Sequence, residues 1–203
     1  MKKNIVVLLL FMTCNIYCFS QYIFLEKQKG FQYKRYSFLD SLNVKEPNFK
    51  YVDIEFRVYF ESSEYDTINS KFIQIVKDKN GLWRGKSYSY YFYNRWNYNY
   101  KDVIIEDLSL EHWDSVWQTI VKENYLNLPT ESDIKQKGDM VVVVCDGHGY
   151  TIEILTKKKK RCISYGNPEL KYERYSEYGI EYYEYERFLQ LIQLLKTELD
   201  LCL

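Results

Sequence analysis

The stretch VDIEFRVYF, at residues 52–60, alternates apolar and polar side chains and decides the fold class. The apolar members occupy every second position: Val52, Ile54, Phe56, Val58 and Phe60. Successive side chains of a strand point to opposite faces of its sheet, so Asp53, Glu55 and Arg57 share the other face. The pattern predicts a strand with one buried face and one polar face.

Turn signals place further strands after this one. The sequence DKNG at 78–81 separates an apolar run at 72–76 from an aromatic-rich run at 82–93. Asn-Gly is a strong hairpin signal because both residues tolerate a positive φ. The two runs are therefore predicted to pair as a hairpin, followed by a short strand at 103–105.

An amphipathic helix is expected after these strands. Ser109 can cap its amino end, since a serine hydroxyl accepts a hydrogen bond from a free N–H of the first turn. Apolar residues then recur at spacings of three and four: Trp113, Val116, Trp117, Ile120 and Val121. This spacing predicts a single apolar stripe that faces the core.

The second half of the chain shows a similar order of elements. The run at 140–145 is apolar at every position, which is typical of a central strand covered on both faces. Two further strands are expected at 150–155 and 161–165, joined by a lysine-rich turn. A long helix over 182–201 follows, with this predicted buried face: Tyr185, Phe188, Leu189, Ile192, Leu195 and Leu199.

The elements run strands–helix–strands–helix and predict an α+β fold. Such an order forms one antiparallel sheet, or two small ones, with the helices packed on one face. The two halves share their order of elements without a residue match, so a structural duplication is one interpretation.

The amino-terminal residues resemble a secretory signal. A basic start, MKK, precedes an apolar run at 5–12, and the small residues Cys18 and Ser20 precede a cut site before Gln21. These are the three parts of a cleavable signal peptide. Residues 1–20 are therefore predicted to be removed.

Residues 21–203 are predicted to form a single soluble domain that is periplasmic or secreted. Its length suffices to bury a proper core. An uncleaved membrane anchor is the less favoured alternative, because a spanning helix needs about 20 mainly apolar residues. Lipidation at Cys14 or Cys18 is a second alternative, but the residues before each cysteine fit a lipobox poorly.

The net charge of the chain argues against nucleic acid and anionic membranes as partners. The 28 acids and 28 bases of the chain balance, and the leader removes Lys2 and Lys3 without any acid, which leaves a net charge of −2. This balance gives no general attraction to nucleic acid or to an anionic membrane, and no stable anchor is expected after cleavage. The 22 tyrosines and the absence of alanine suit an AT-rich bacterial genome.

The cysteines give no complete disulfide framework. The predicted mature chain keeps Cys145, Cys162 and Cys202. Three is an odd number, although export permits one bridge. A bridge between Cys162 and Cys202 is left open by this reasoning.

The densest aromatic segment, at 88–100, is the best candidate for a binding site. Alternate rings of a strand project to opposite faces, so one set can enter the core while the other meets solvent. Exposed rings beside Asn and Arg suit a peptide, a glycan or a partner protein. The candidate ligand-binding residues are Tyr91, Tyr93, Arg95, Trp96 and Tyr98. Cross-strand aromatic pairing and codon usage are the alternative explanation.

A second constellation surrounds His148. Asp146 and His148 suggest a metal site, and Cys145 beside His148 suggests a nucleophile. A metal site needs three or four convergent ligands, whereas the whole chain has two histidines. The segment is therefore interpreted as a turn with His148 facing water. No metal or cofactor site is predicted.

Two charged segments complete the candidates. The run KKKKR at 157–161 suits a polyanion, or it is a solvated hairpin tip. Paired carboxylates near the last helix suit glycoside hydrolysis at the right separation: Glu173, Glu177, Glu181, Glu184 and Glu186. The solvent face of a helix explains these glutamates equally well.

These observations predict an exported domain that binds a partner and is not an enzyme. The common hydrolase, phosphate-loop and dinucleotide motifs are missing from the sequence. The alternative is a carboxylate-based hydrolase of extracellular or cell-wall glycans. A third possibility is an envelope structural or inhibitor-like protein.

Overall fold

A computed structural model describes residues 38–62, 68–92, 100–137, 141–144 and 147–200. After a short helix, α1, at Phe38–Ser41, four strands follow: β1 (Val52–Ser62), β2 (Ile68–Asp78), β3 (Trp83–Phe92) and β4 (Tyr100–Asp107). The remaining elements are α2 (Trp113–Lys122), β5 (His148–Thr156), β6 (Lys160–Gly166), α3 (Pro168–Glu177) and α4 (Tyr183–Glu198). The predicted α+β class is confirmed.

The six strands form one antiparallel sheet in the order β4-β3-β2-β1-β5-β6. The stretch at 52–60 lies in β1, which pairs with both β2 and β5 and so joins the two halves of the chain. The halves are unequal, since the first supplies four strands and the second supplies two. The sheet therefore matches the predicted order of elements only loosely.

The β2–β3 hairpin turns where Asn80-Gly81 predicted. Only Gly81 takes a positive φ there, at +85°. Asp78 supports the turn, because its Oδ1 accepts hydrogen bonds from the N–H groups of Asn80 and Leu82.

The main core lies between the sheet and helices α2, α3 and α4. The apolar face of β1 packs there as the alternation predicted, and Phe56 meets the rings of Trp113 and Trp117 at 6.1 and 5.9 Å between centroids. At the other end, Tyr165 of β6 stacks on Phe188 of α4 at 4.0 Å. The three longer helices share this face, as expected, whereas Leu39 of the short α1 packs on the other face.

The second face of β1 is buried at Glu55 and Arg57, which corrects the prediction of a polar, open face, whereas Asp53 at the start of the strand is exposed. Glu55 is 1% exposed and Arg57 is 0% exposed, and Tyr59 beside them is equally buried. A second apolar cluster lies on this side of the sheet, built from Leu39, Leu42, Val44, Tyr59, Phe72, Tyr88 and Tyr90. Because Leu39, Leu42 and Val44 pack over this side of the sheet, Glu55 and Arg57 are buried, and they form a hydrogen-bonded network.

The predicted start of α2 is wrong. The helix begins at Trp113 with His112 at the capping position, no side chain caps it, and Ser109 lies in the connection from β4. The predicted stripe is buried at Trp113, Val116, Trp117 and Ile120, whereas Val121 at its margin is 36% exposed.

The central strand predicted at 140–145 is also wrong. Residues 141–144 lie outside the sheet, and Val141 and Val143 are 64% and 77% exposed. Met140 and Cys145 lie outside the described residues. The place beside β1 is taken by β5 instead, because apolar character alone does not select a pairing partner.

Helix α3 was not predicted from the sequence. The buried face of α4 was predicted with one residue wrong. Asn167 takes a positive φ of +49°, and Pro168 opens α3, a position that suits proline because its missing N–H is not needed there. The α3 helix buries only Pro168 and Tyr175, so its sequence carries almost no periodicity. On α4, Leu191 is buried where Leu189 was predicted.

Within the described residues, no helix is both long and apolar enough to cross a membrane.

Candidate functional site

The predicted aromatic site begins in β3 and continues into residues that the structure does not describe. Tyr91 belongs to β3 and pairs with Asn69 of β2. The other four predicted residues, Tyr93, Arg95, Trp96 and Tyr98, lie outside the described residues. Just before them, Tyr88 and Tyr90 are buried in the second cluster, as expected for the set of rings that enters the core. The binding role of the remaining rings stays a prediction.

The strand that follows these rings presents an apolar edge to solvent. β4 pairs with β3, and no other described strand pairs with it. Val103, Ile104 and Ile105 are 38%, 51% and 52% exposed. Because consecutive side chains point to opposite faces, this apolar surface covers both sides of the strand.

The opposite edge of the sheet is closed. Thr130 Oγ1 bonds both the N–H and the C=O of Ser164 in β6, at 3.0 Å each. Two residues further along, the N–H of Gly166 donates to Glu131 Oε2 at 2.9 Å. Arg161 donates from Nη2 to the carbonyl of Leu128 at 2.8 Å. The segment around 127–131 therefore covers β6 much as a further strand would.

The contrast between the two edges marks β4 as the candidate binding site. An unpaired edge strand is a template for pairing with another chain, and proteins usually cover, charge or shorten such edges. β4 has eight residues and keeps three consecutive apolar side chains at its centre. An extended peptide adds to such an edge through main-chain hydrogen bonds, with side-chain contacts supplying specificity.

An acidic cleft of about 410 Å³ lies at the carboxyl end of β4. Its floor includes Leu108, Leu110 and Trp113, and its acidic lining comes from the end of β4, the start of α2 and the end of α4: Glu106, Asp107, Glu111, Glu198 and Asp200. Among the described residues, the lining holds one histidine, His112, and no lysine or arginine. Lys86 approaches from β3, with Nζ 3.9 Å from Asp107 Oδ1.

His148 is exposed, as predicted, but it lies in a strand and not in a turn. It begins β5, and its Nε2 lies 3.0 Å from Glu169 Oε2 on α3. The hydroxyl of Tyr150 donates to Glu169 Oε1 at 2.7 Å and accepts from Lys196 Nζ at 3.1 Å. Burial, together with the bond to Glu169, raises the pKa of Tyr150, so its phenol stays protonated and cannot act as a base.

The hydrogen bonds of this cluster connect β5 with helices α3 and α4. Glu169 and Lys196 satisfy the polar atoms of Tyr150, and Asn167 Oδ1 accepts from the N–H of His148 at 2.8 Å. Cys145 and Asp146, which the sequence placed with His148, lie outside the described residues. Among the residues that are described, no three His, Cys, Asp or Glu side chains converge to hold a metal ion.

The most buried charges lie on the second face of the sheet. Arg57 Nε donates to Glu55 Oε1 at 2.5 Å, and Arg57 Nη1 lies 3.5 Å from Glu153 Oε2. Tyr59 donates to the same oxygen of Glu153 at 2.7 Å. Burial raises the pKa of Glu153 despite these partners. Since the charged members are at most 2% exposed, the network holds the strands together and meets no solute.

The carboxylates that suggested a hydrolase do not form a pair in a cleft. Glu173, Glu177, Glu181 and Glu186 are exposed, and Glu184 is half-buried. None of them lines the acidic cleft. Glu177 instead accepts a hydrogen bond from Arg174 of its own helix at 2.9 Å.

The basic run at 157–161 divides into two parts. Lys157, Lys158 and Lys159 are exposed at the β5–β6 turn, as a hairpin tip would be. Arg161 is buried and bonds to the carbonyls of Asn127 and Leu128, so it does not belong to the exposed basic surface.

Cys162 lies half-buried on β6, where burial raises the pKa of its thiol to about 12, with the charge of Glu153 adding to the shift. Such a thiol is unreactive at neutral pH. Its two possible partners, Cys145 and Cys202, lie outside the described residues. A disulfide bridge between Cys162 and Cys202 therefore stays an open alternative.

The sequence matches no known protein family and no curated protein.

The edge site was only partly visible in the sequence. The run Val103-Ile104-Ile105 predicted a strand, and the charges on both sides of it were a signal for an edge position. The acidic cleft carried no signal, because Glu111 and Glu198 are far apart in the chain and meet only after α2 and α4 pack together.

Proposed function

We propose that this chain is an exported, non-enzymatic interaction domain that binds an extended segment of a partner protein along β4. The open apolar edge at 103–105 is the observation that carries the proposal. Its contrast with the covered β6 edge supports a specific role, because the fold covers β6 and leaves three consecutive apolar side chains of β4 exposed.

A peptide or protein partner fits this site better than a glycan. A strand edge offers rows of N–H and C=O groups at a fixed spacing, which suit another backbone. The neighbouring side chains are aliphatic, whereas a sugar ring is held by flat aromatic surfaces and polar tips. Both aliphatic faces of β4 would be covered by the alternating side chains of an added strand.

The test is a binding titration followed by NMR. The protein is titrated with soluble peptides of alternating threonine and valine, and the backbone amide signals of β4 and β6 are compared. We expect shifts at Val103, Ile104 and Ile105, with Ser164 and Gly166 unchanged. Binding elsewhere, or no binding by any peptide, would contradict the proposal.

A pair of matched variants separates the edge from general hydrophobicity. Ile104→Lys places a charge on the proposed binding strand and should abolish peptide binding. Leu170→Lys makes the same kind of change on α3, where Leu170 is 38% exposed, and should leave binding unchanged. Equal losses in both variants would show that the peptides adhere to apolar surface in general.

Export is a separate part of the proposal with its own measurement. Mass spectrometry of the natural product should find a chain that begins at Gln21, outside the cytoplasm. A chain in the cytosol that still begins at Met1 would remove this part and leave the binding edge untouched.

A further inference from the structure

We infer that the partner segment carries basic residues immediately before an apolar, β-branched run, and that these basic residues enter the acidic cleft beside β4. The inference rests on the proposed function and specifies the partner of that site. The edge strand and the acidic cleft are contiguous, since Glu106 and Asp107 belong to both β4 and the cleft lining.

The negative charge of the cleft favours basic residues in the part of the partner that lies next to the apolar run. Of the residues that the structure describes, five carboxylates line the cleft and no lysine or arginine does. The ion pair nearest to it is weak, because Lys86 and Asp107 are largely exposed and 3.9 Å apart. A partner strand that runs past Ile105 must continue beside Glu106 and Asp107, where an acidic residue is repelled and a basic one is attracted.

The same charges argue against a second copy of this chain as the occupant. β4 carries Asp102, Glu106 and Asp107 against one base, Lys101. Two copies paired edge to edge would bring together strands of the same net charge, and like charges facing one another across strands are destabilising. Each copy would also bring its own acidic cleft to the interface.

Strand direction places the basic residues at the amino end of the partner segment. All five strand pairs of the sheet are antiparallel, and antiparallel pairing is slightly more stable per residue. An antiparallel partner starts where β4 ends. Its first residues therefore lie beside the cleft, and its apolar run follows along Ile105, Ile104 and Val103.

The test uses four peptides that share the β-branched run TVTVT. Three begin with Lys-Lys, Ser-Ser or Glu-Glu, and the fourth has Lys-Lys after the run. Affinity is measured by fluorescence anisotropy at low and at high salt. We expect the Lys-Lys-first peptide to bind roughly three- to tenfold more tightly than the Ser-Ser peptide, with the Glu-Glu peptide weakest, and the difference to shrink at high salt.

Matched variants tie this preference to the cleft. Glu106→Gln combined with Glu111→Gln should weaken binding of the Lys-Lys-first peptide and leave the Ser-Ser peptide unchanged. Glu173→Gln combined with Glu181→Gln removes two exposed carboxylates away from the cleft and should change neither affinity.

The outcomes separate this inference from the proposed function. Equal affinities for the Lys-Lys and Ser-Ser peptides, both lost in Ile104→Lys, would overturn the inference and leave the binding edge in place. Tighter binding of the peptide with lysines after the run would overturn the antiparallel placement. A protein that sediments as a dimer, and as a monomer after Ile104→Lys, would show that a second copy is the occupant. No binding by any of the four would remove the proposed function itself.

Discussion

Thr130 Oγ1 spans the backbone of Ser164, accepting from its N–H and donating to its C=O, each at 3.0 Å. A single side chain thereby satisfies both outward backbone groups of one residue on the β6 edge. Glu131 also accepts a hydrogen bond from the N–H of Gly166, so the outward backbone groups at the carboxyl end of β6 have partners. The outer backbone groups of β6 are therefore occupied at Ser164 and Gly166, whereas β3 is the only described strand that pairs with β4.

Replacing Thr130 with valine should lower the free energy of unfolding by about 1–3 kcal/mol, because valine keeps the shape and leaves the half-buried N–H and C=O of Ser164 without a partner. Urea unfolding measures the change. Thr130→Ser keeps the hydroxyl and should lose much less. A valine variant as stable as the serine variant would show that water replaces the hydroxyl at this edge.

Backbone amide exchange should differ sharply between the two edges. The amides of Ser164 and Gly166 are bonded to Thr130 and Glu131, so we expect both to exchange slowly. Along 103–106, only the amides bonded to β3 should be protected, while those on the outer side exchange as fast as exposed loops. Hydrogen exchange followed by NMR resolves each position. Uniform protection along β4 would mean that its outer edge is already occupied.

Local patterns predicted the elements that carry their own signal. The alternation at 52–60, the Asn80-Gly81 turn and the apolar stripe beginning at Trp113 each correspond to an observed element. These signals depend on neighbours within a few residues. Helix α3 lacked one, because a helix that buries only Pro168 and Tyr175 shows no apolar period.

Features that depend on tertiary neighbours could not be predicted in this way. The run at 140–145 is apolar enough for a central strand, but β5 pairs with β1 instead, and Val143 is left exposed. Arg57 has the polarity of a surface residue and is buried because a second cluster that includes Leu39, Leu42 and Val44 covers its side of the sheet. The candidate site needs the same long-range information, since exposure at Ile104 follows from the strand order and not from the residues beside it.

Acid should weaken the protein through Glu131. Burial works to raise the pKa of Glu131, but the N–H of Gly166, the Lys171 ammonium and the Tyr185 hydroxyl bind the carboxylate and hold its pKa below the ordinary 4.5. A lowered pKa in the folded state means that the unfolded chain takes up the proton first as the pH falls. The contribution is therefore fully present above the unfolded pKa and is lost as the pH falls through the folded pKa.

Urea unfolding as a function of pH checks this window. The loss of stability below about pH 4.5 should be smaller in Glu131→Gln than in the wild type, and the variant should already be less stable at neutral pH. Glu173→Gln, an exposed carboxylate, should keep the wild-type slope. Parallel slopes for Glu131→Gln and the wild type would show that the Glu131 carboxylate titrates alike in both states.

Removing the positive charge between Glu55 and Glu153 should be the most damaging single change. Arg57→Met leaves two buried carboxylates without their shared counter-charge, which costs about 3–5 kcal/mol when one partner of a buried ion pair is lost. The triple variant Arg57→Met, Glu55→Gln, Glu153→Gln has no buried charge at this place and should recover part of the stability. Chemical denaturation of the two variants gives the comparison.

The pH dependence of Arg57→Met distinguishes charge from packing. Burial already raises the pKa of Glu153, and loss of Arg57 raises it further. For an acid with a raised folded pKa, stability is fully present below the unfolded pKa and is lost as the pH rises through the folded pKa. The cost of Arg57→Met should therefore shrink as the pH falls from neutral toward 4.5, the ordinary value for Glu153. A cost that stays constant over this range would mean that Arg57 acts through the volume it fills, and that Glu55 and Glu153 do not depend on its charge.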